Sequence, residues 1–79
     1  MKVKVYIRLK NGVLDPQGKA ICGSLKHLGF DNVNDVRQGK LIEVDVDEQD
    51  RAKAEAAVEK MCEQLLANTV IENYELEVA

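Results

Sequence analysis

The sequence has 79 residues, enough for one domain, of which 46% are hydrophobic and 32% charged. Its formal net charge of -3 argues against nucleic acid as the main partner, because a phosphate backbone rewards a basic surface. No apolar run is long enough to span a bilayer and Met1-Lys2-Val3-Lys4 lacks the apolar stretch of a leader, so the expected setting is cytoplasmic.

Residues 2–10 alternate: Val3, Val5, Ile7 and Leu9 are apolar, while Lys2, Lys4, Tyr6, Arg8 and Lys10 are polar or amphipathic. A period of two predicts a half-buried strand, ended by Asn11-Gly12. Asp15-Pro16 then opens a helix, with Asp as the cap and Pro at the first helical position. Ile21, Leu25 and Leu28 fall on one helical stripe, and Gly29 is the expected stop. Gly23 sits mid-helix, where it weakens the helix against Ala unless another backbone comes close. Cys22, in this helix, and Cys62, in the next, form no C-x-x-C pair, so both are expected as reduced thiols acting as small hydrophobes.

Residues 33–46 predict a hairpin: a weak strand over Val33 to Arg37, a turn at Gln38-Gly39-Lys40 with Gly39 at positive φ, and a clear strand with Ile42, Val44 and Val46 on one face. Asp47-Glu48-Gln49-Asp50 charges the start of a long helix, whose stripe is Ala54, Val58, Met61 and Leu65, widened by Cys62 and Leu66. It should stop near Ala67-Asn68. Tyr74, Leu76 and Val78 alternate with Asn73, Glu75 and Glu77 in a last strand. The order β-α-β-β-α-β predicts an α+β fold, a two-layer plait of the ferredoxin-like kind, in one domain over 1–79. Its antiparallel sheet carries both helices on one face, with the first strand central.

On the open face of that sheet Lys2, Lys4, Tyr6, Arg8 and Lys10 lie between Glu43 and Asp45 on one side and Glu75 and Glu77 on the other, so the field is largely cancelled. RNA-binding plaits stack bases on aromatics of the central strands; only Tyr6 is available here. Catalytic signatures are also missing. His27 is a lone histidine at a helix end, no phosphate-cradling Gly motif is present, and Asn11 to Gly18 lacks the Arg of a small plait phosphatase.

Three segments carry a resemblance: Val13-Leu14-Asp15-Pro16-Gln17-Gly18, Asp35-Val36-Arg37-Gln38-Gly39-Lys40, and Met61 to Tyr74. Together, at these spacings and over essentially the whole chain, they resemble the PurS family of phosphoribosylformylglycinamidine synthase subunits. The resemblance implies a small subunit without catalytic residues or cofactor of its own. It implies a homodimer that helps join a glutaminase subunit to a large synthetase subunit and supports ammonia transfer to formylglycinamide ribonucleotide, with ATP and magnesium held by the large subunit. No metal, nucleic acid or membrane site is expected. The candidate partner-interface residues are Asp15, Pro16 and Gly18 at the helix start, Arg37, Gly39 and Lys40 at the hairpin, and Asn68 and Thr69 after the second helix. The alternative from another class is a free-standing ACT-like regulatory plait that binds a small molecule between two copies.

Overall fold

The alternating residues at the start form β1 (Lys2–Leu9), whose Val3, Val5 and Ile7 are buried while Lys2 and Arg8 face solvent. In the computed structural model, which describes residues 1–79, β1 is the centre of a three-stranded antiparallel sheet. Its neighbours are β2 (Lys40–Asp45) and β3 (Glu72–Val78). The register sets Lys2 opposite Asp45 and Lys4 opposite both Glu43 and Glu77, so the expected acid–base stripes of the open face are in place. The Tyr6 hydroxyl donates to Glu77 as well.

The other face is closed by α2 (Arg51–Met61), capped by Asp50, whose carboxylate accepts from Ala52 N and Lys53 N. Ala54 and Val58 on α2, with Cys62 beyond it, are fully buried against Val3, Val5 and Ile7. The helix then widens into a π-helical turn, Cys62–Leu66. Cys62, four residues beyond Val58, stays inside, and within the wider turn Leu65 is 83% exposed. Both cysteines are free thiols.

Two features differ from the sequence expectation, within the α+β antiparallel architecture. Residues 33–39 form no strand, so the sheet has three strands and no hairpin. Val33 and Val36 are three apart and would lie on opposite faces of a strand. The segment's backbone donors go to carboxylates instead: Val36 N donates to Asp35 Oδ1 at 2.9 Å and Gln38 N to Asp15 Oδ2 at 2.7 Å. The second difference is α1 (Pro16–His27). It does not lie on the sheet beside α2 and buries only Gly18. Its apolar stripe meets solvent, with Ile21 and Leu28 exposed and Leu25 half-buried. The molecule is therefore long and thin, 48 × 25 × 14 Å.

Candidate functional site

One end of the sheet, where β1 finishes and β2 and β3 begin, gathers most of the candidate residues. Its centre is Asp15. The carboxylate caps α1 by accepting from Gly18 N at 2.9 Å and holds the returning chain by accepting from Gln38 N at 2.7 Å. The side chain is buried. These two backbone bonds hold its pKa below the usual carboxylate value against the opposing effect of burial, with the Arg37 charge adding to the same direction. Asp15 is therefore an anion at neutral pH, committed to structure. Pro16 follows at the start of α1 with no backbone donor to lose.

Glycine is required twice in this corner, and for closeness rather than for positive φ. A Cβ at Gly18 would stand 2.3 Å from the Val36 carbonyl oxygen and 2.6 Å from Asp15 Oδ2. A Cβ at Gly39 would stand 2.7 Å from the Ile7 carbonyl oxygen. The expectation of a positive-φ turn at Gly39 is thereby corrected: only Gly12 and Gly29 have positive φ. Gly29 does so as the expected stop of α1. Gly23 has nothing near it, so its cost to the helix has no compensating approach.

Arg37 reaches back across the corner and donates to the Leu9 and Lys10 carbonyl oxygens at 3.0 and 3.2 Å. Lys40 Nζ lies 3.4 Å from Glu72 Oε2. Glu72 is a residue the sequence reading missed. It is 9% exposed, and its other oxygen accepts from Asn68 N at 2.7 Å. Glu72 thus ties Asn68 to the Lys40 side of the corner. Asn68 in turn shapes its own turn, its side-chain oxygen accepting from Val70 N and its carbonyl from Ile71 N and Glu72 N. Thr69 is exposed in that turn. A sequence signal for Glu72 did exist: it stands where the period-two pattern of the last strand puts an inward residue, ahead of Tyr74, Leu76 and Val78.

Between these residues lies a recess of about 290 Å³ bordered by Asp15, Gln38, Gly39, Lys40 and Glu72. Its charged groups are already paired with one another or with backbone. No buried side-chain polar atom lacks a partner, and no cluster of His, Cys, Asp and Glu is placed to hold a metal ion. His27 is exposed on the last turn of α1, away from this corner's hydrogen bonds. The arrangement fixes backbone; it offers no nucleophile paired with a base.

Exposed apolar side chains occur in two stretches of the chain. One belongs to α1 and its flanks: Leu14 is 69%, Leu28 74% and Phe30 54% exposed. The other flanks Asn68 and Thr69 in sequence and comprises Leu65 and Val70, the latter 81% exposed.

Residues 2–79 match a family model described as PurS, phosphoribosylformylglycinamidine (FGAM) synthase. The phosphoribosylformylglycinamidine synthase subunit PurS of Bacillus subtilis is 51% identical over 77 residues, covering 98% of this chain and 90% of that protein. The crystal structure of Methanocaldococcus jannaschii PurS, one of the subunits of formylglycinamide ribonucleotide amidotransferase in the purine biosynthetic pathway, superposes with a TM-score of 0.88. It is 45% identical, with 99% of this chain and 94% of that one covered. A chain in the structure of PurLQS from Thermotoga maritima reaches the same TM-score, 0.88, at 34% identity, with 96% and 93% covered.

Proposed function

The chain belongs to the PurS family, and from that premise we propose that it is the small, non-catalytic assembly subunit of phosphoribosylformylglycinamidine synthase in purine biosynthesis. In this reading it works in the cytoplasm as a homodimer and joins the glutaminase and synthetase subunits. It thereby supports delivery of ammonia from glutamine to formylglycinamide ribonucleotide, with ATP and magnesium bound by the synthetase. The reading rests chiefly on one observation: the chain commits its buried polar groups to holding backbone and leaves large apolar side chains exposed, Leu28, Leu65 and Val70 among them. An enzyme invests its polar residues in a cleft; an assembly subunit presents surface.

The candidate residues divide accordingly. Asp15, Pro16, Gly18 and Gly39 build the corner and act through the surfaces it holds. Arg37, Lys40, Asn68 and Thr69 reach solvent and are proposed to meet the partners. Reconstitution tests the reading. Glutamine-dependent amidine synthesis by the glutaminase and synthetase subunits should require this chain, which should co-elute with them on a sizing column. Full-rate synthesis in its absence, or turnover by the chain alone, would overturn it.

A further inference from the structure

The charge pattern of the open sheet face lapses at one place. Lys2 stands opposite Asp45, Lys4 opposite Glu43 and Glu77, and Tyr6 opposite Glu75, so each of these outward positions of β1 meets a carboxylate. Arg8 does not. Its partner on β3 is the neutral Asn73. Beside its stem lies Gly39, where a Cβ would stand 3.5 Å from Arg8 Cγ. Arg37 is a second cation at this end. The Asp15 carboxylate near it is buried and committed to Gly18 N and Gln38 N. The chain's two ion pairs, Met1 with Asp45 and Lys40 with Glu72, use neither arginine.

The two arginines border one recess of about 280 Å³, together with Leu9, Asn11, Gln38 and Gly39. The chain carries 14 Asp and Glu residues, yet only Arg8, Arg37 and the two carboxamides supply side-chain polar groups to this recess. Arg37 is held in advance. Its Nη2 donates to the Leu9 and Lys10 carbonyl oxygens at 3.0 and 3.2 Å, which fixes the guanidinium and leaves Nε and Nη1 to other acceptors. A guanidinium fixed beforehand loses less freedom when a guest arrives. Gly39 completes the hollow. A Cβ there would stand 2.7 Å from the Ile7 carbonyl oxygen, so the returning chain lies this close to β1 only without a side chain.

The donors select the guest. One guanidinium fork satisfies a planar carboxylate. Two guanidinium and two carboxamide groups, brought from separate segments, match a tetrahedral dianion with three acceptor oxygens. The neighbouring recess, about 220 Å³, shares Arg8 and Asn11 and adds Tyr6, Asn73 and Glu75. Its carboxylate would repel a second anionic group and accept from hydroxyls.

We propose that the hollow between Arg8 and Arg37 binds the phosphate of a small phosphomonoester, a sugar phosphate, whose hydroxyl-bearing part lies across Arg8 towards Asn73 and Glu75. The site goes beyond the assembly role and does not rest on it.

The test titrates the full chain, at fixed ionic strength, with inorganic phosphate, ribose 5-phosphate, ribose and acetate, following the backbone amide resonances of Asn11, Gln38 and Gly39. Both phosphates should move these resonances saturably in the millimolar range, ribose 5-phosphate at least as tightly as inorganic phosphate, and ribose should not move them. Arg8→Gln breaks no ion pair within the chain and should weaken phosphate binding at least about tenfold with the far-UV spectrum retained. Arg37→Gln should do the same. Lys4→Gln removes an equal charge from the same face but outside the hollow, and should leave the affinity within about twofold. Shifts that grow with phosphate and never saturate would overturn the site. Equal weakening by Lys4→Gln and Arg8→Gln would also overturn it, because diffuse charge would then account for the binding. Acetate bound as tightly as phosphate would overturn the phosphomonoester and make the hollow a socket for a carboxylate.

Discussion

The same substitution at two positions of α1 should change stability in opposite directions. Gly23→Ala places a methyl group in open space on an exposed helix. Helix propensity then acts alone and stabilises the chain by up to about 1 kcal/mol. Gly18→Ala receives the same propensity gain, but its Cβ would stand 2.3 Å from the Val36 carbonyl oxygen. Ordinary contact begins near 3.4 Å, so the two segments must separate by about 1 Å. The obstacle is backbone, which cannot rotate away as a side-chain tip would. Overpacking of this kind costs about 1–3 kcal/mol. Moving Val36 also pulls Gln38 N from Asp15 Oδ2, so the upper part of that range applies and the net change is a loss of about 1–2 kcal/mol. For so small a chain the urea m-value is about 1 kcal/mol/M. The unfolding midpoint of Gly18→Ala should therefore fall by roughly 1–2 M and that of Gly23→Ala should rise. Both are compared at one protein concentration, because association adds to apparent stability. Equal midpoints for the two variants would refute the close approach of α1 to the returning chain.

Asp15 has a pKa lowered in the folded state, so its contribution to stability is complete above the unfolded carboxylate value and is lost as pH falls through the folded one. Asp15→Asn should flatten the acid limb of the urea midpoint between pH 5 and pH 2, a range chosen to span about 3.9, the unfolded value. Tyr74 is pushed up to about 12, first by donating its hydroxyl to Glu63 at 2.8 Å and then by burial. A raised pKa contributes stability below the unfolded value of about 10 and loses it as pH climbs through the folded one. Glu63→Gln should therefore bring Tyr74 ionisation, followed by ultraviolet absorbance, back towards its ordinary range. Arg37→Glu replaces the charged donor to two backbone carbonyls at an exposed site, which costs the fold up to about 1.5–3 kcal/mol. It should leave the chain folded while weakening co-elution with the synthetase subunit; unchanged binding removes Arg37 from the interface.

Much of this was legible in the residues because the physics was local. Strict alternation over Val3 to Leu9 fixed β1 and its buried face, Asp15-Pro16 fixed the start of α1, and the acid-rich Asp47 to Asp50 fixed the start of α2. The corner was half legible. Asp15, Gly18, Arg37, Gly39 and Lys40 could be singled out, but not why they belong together, because the bonds that join them span more than twenty residues. Residues 33–37 misled through their two valines: a distant carboxylate took a donor that a hairpin would have used. The amphipathic stripe of α1 was real. Periodicity reports that a face is to be covered and is silent on which chain covers it.

The exposed leucine of the π-helical turn gives the proposed subunit contact a test. Leu28 lies at the end of the α1 stripe, whereas Leu65 stands on the π-helical turn and Val70 two residues beyond Asn68. The π turn is what places Leu65 outside: a regular continuation of α2 would carry the Ala54, Val58 and Met61 stripe on to Leu65, whereas Cys62, four residues after Val58, is buried by the regular spacing. Such a turn weakens a helix and is common at functional sites. If Leu65 serves the larger subunits, Leu65→Lys should leave the urea midpoint almost unmoved, since Leu65 is 83% exposed. It should also abolish co-elution with the glutaminase and synthetase subunits. Unimpaired co-elution of Leu65→Lys would leave the π turn without a partner to serve.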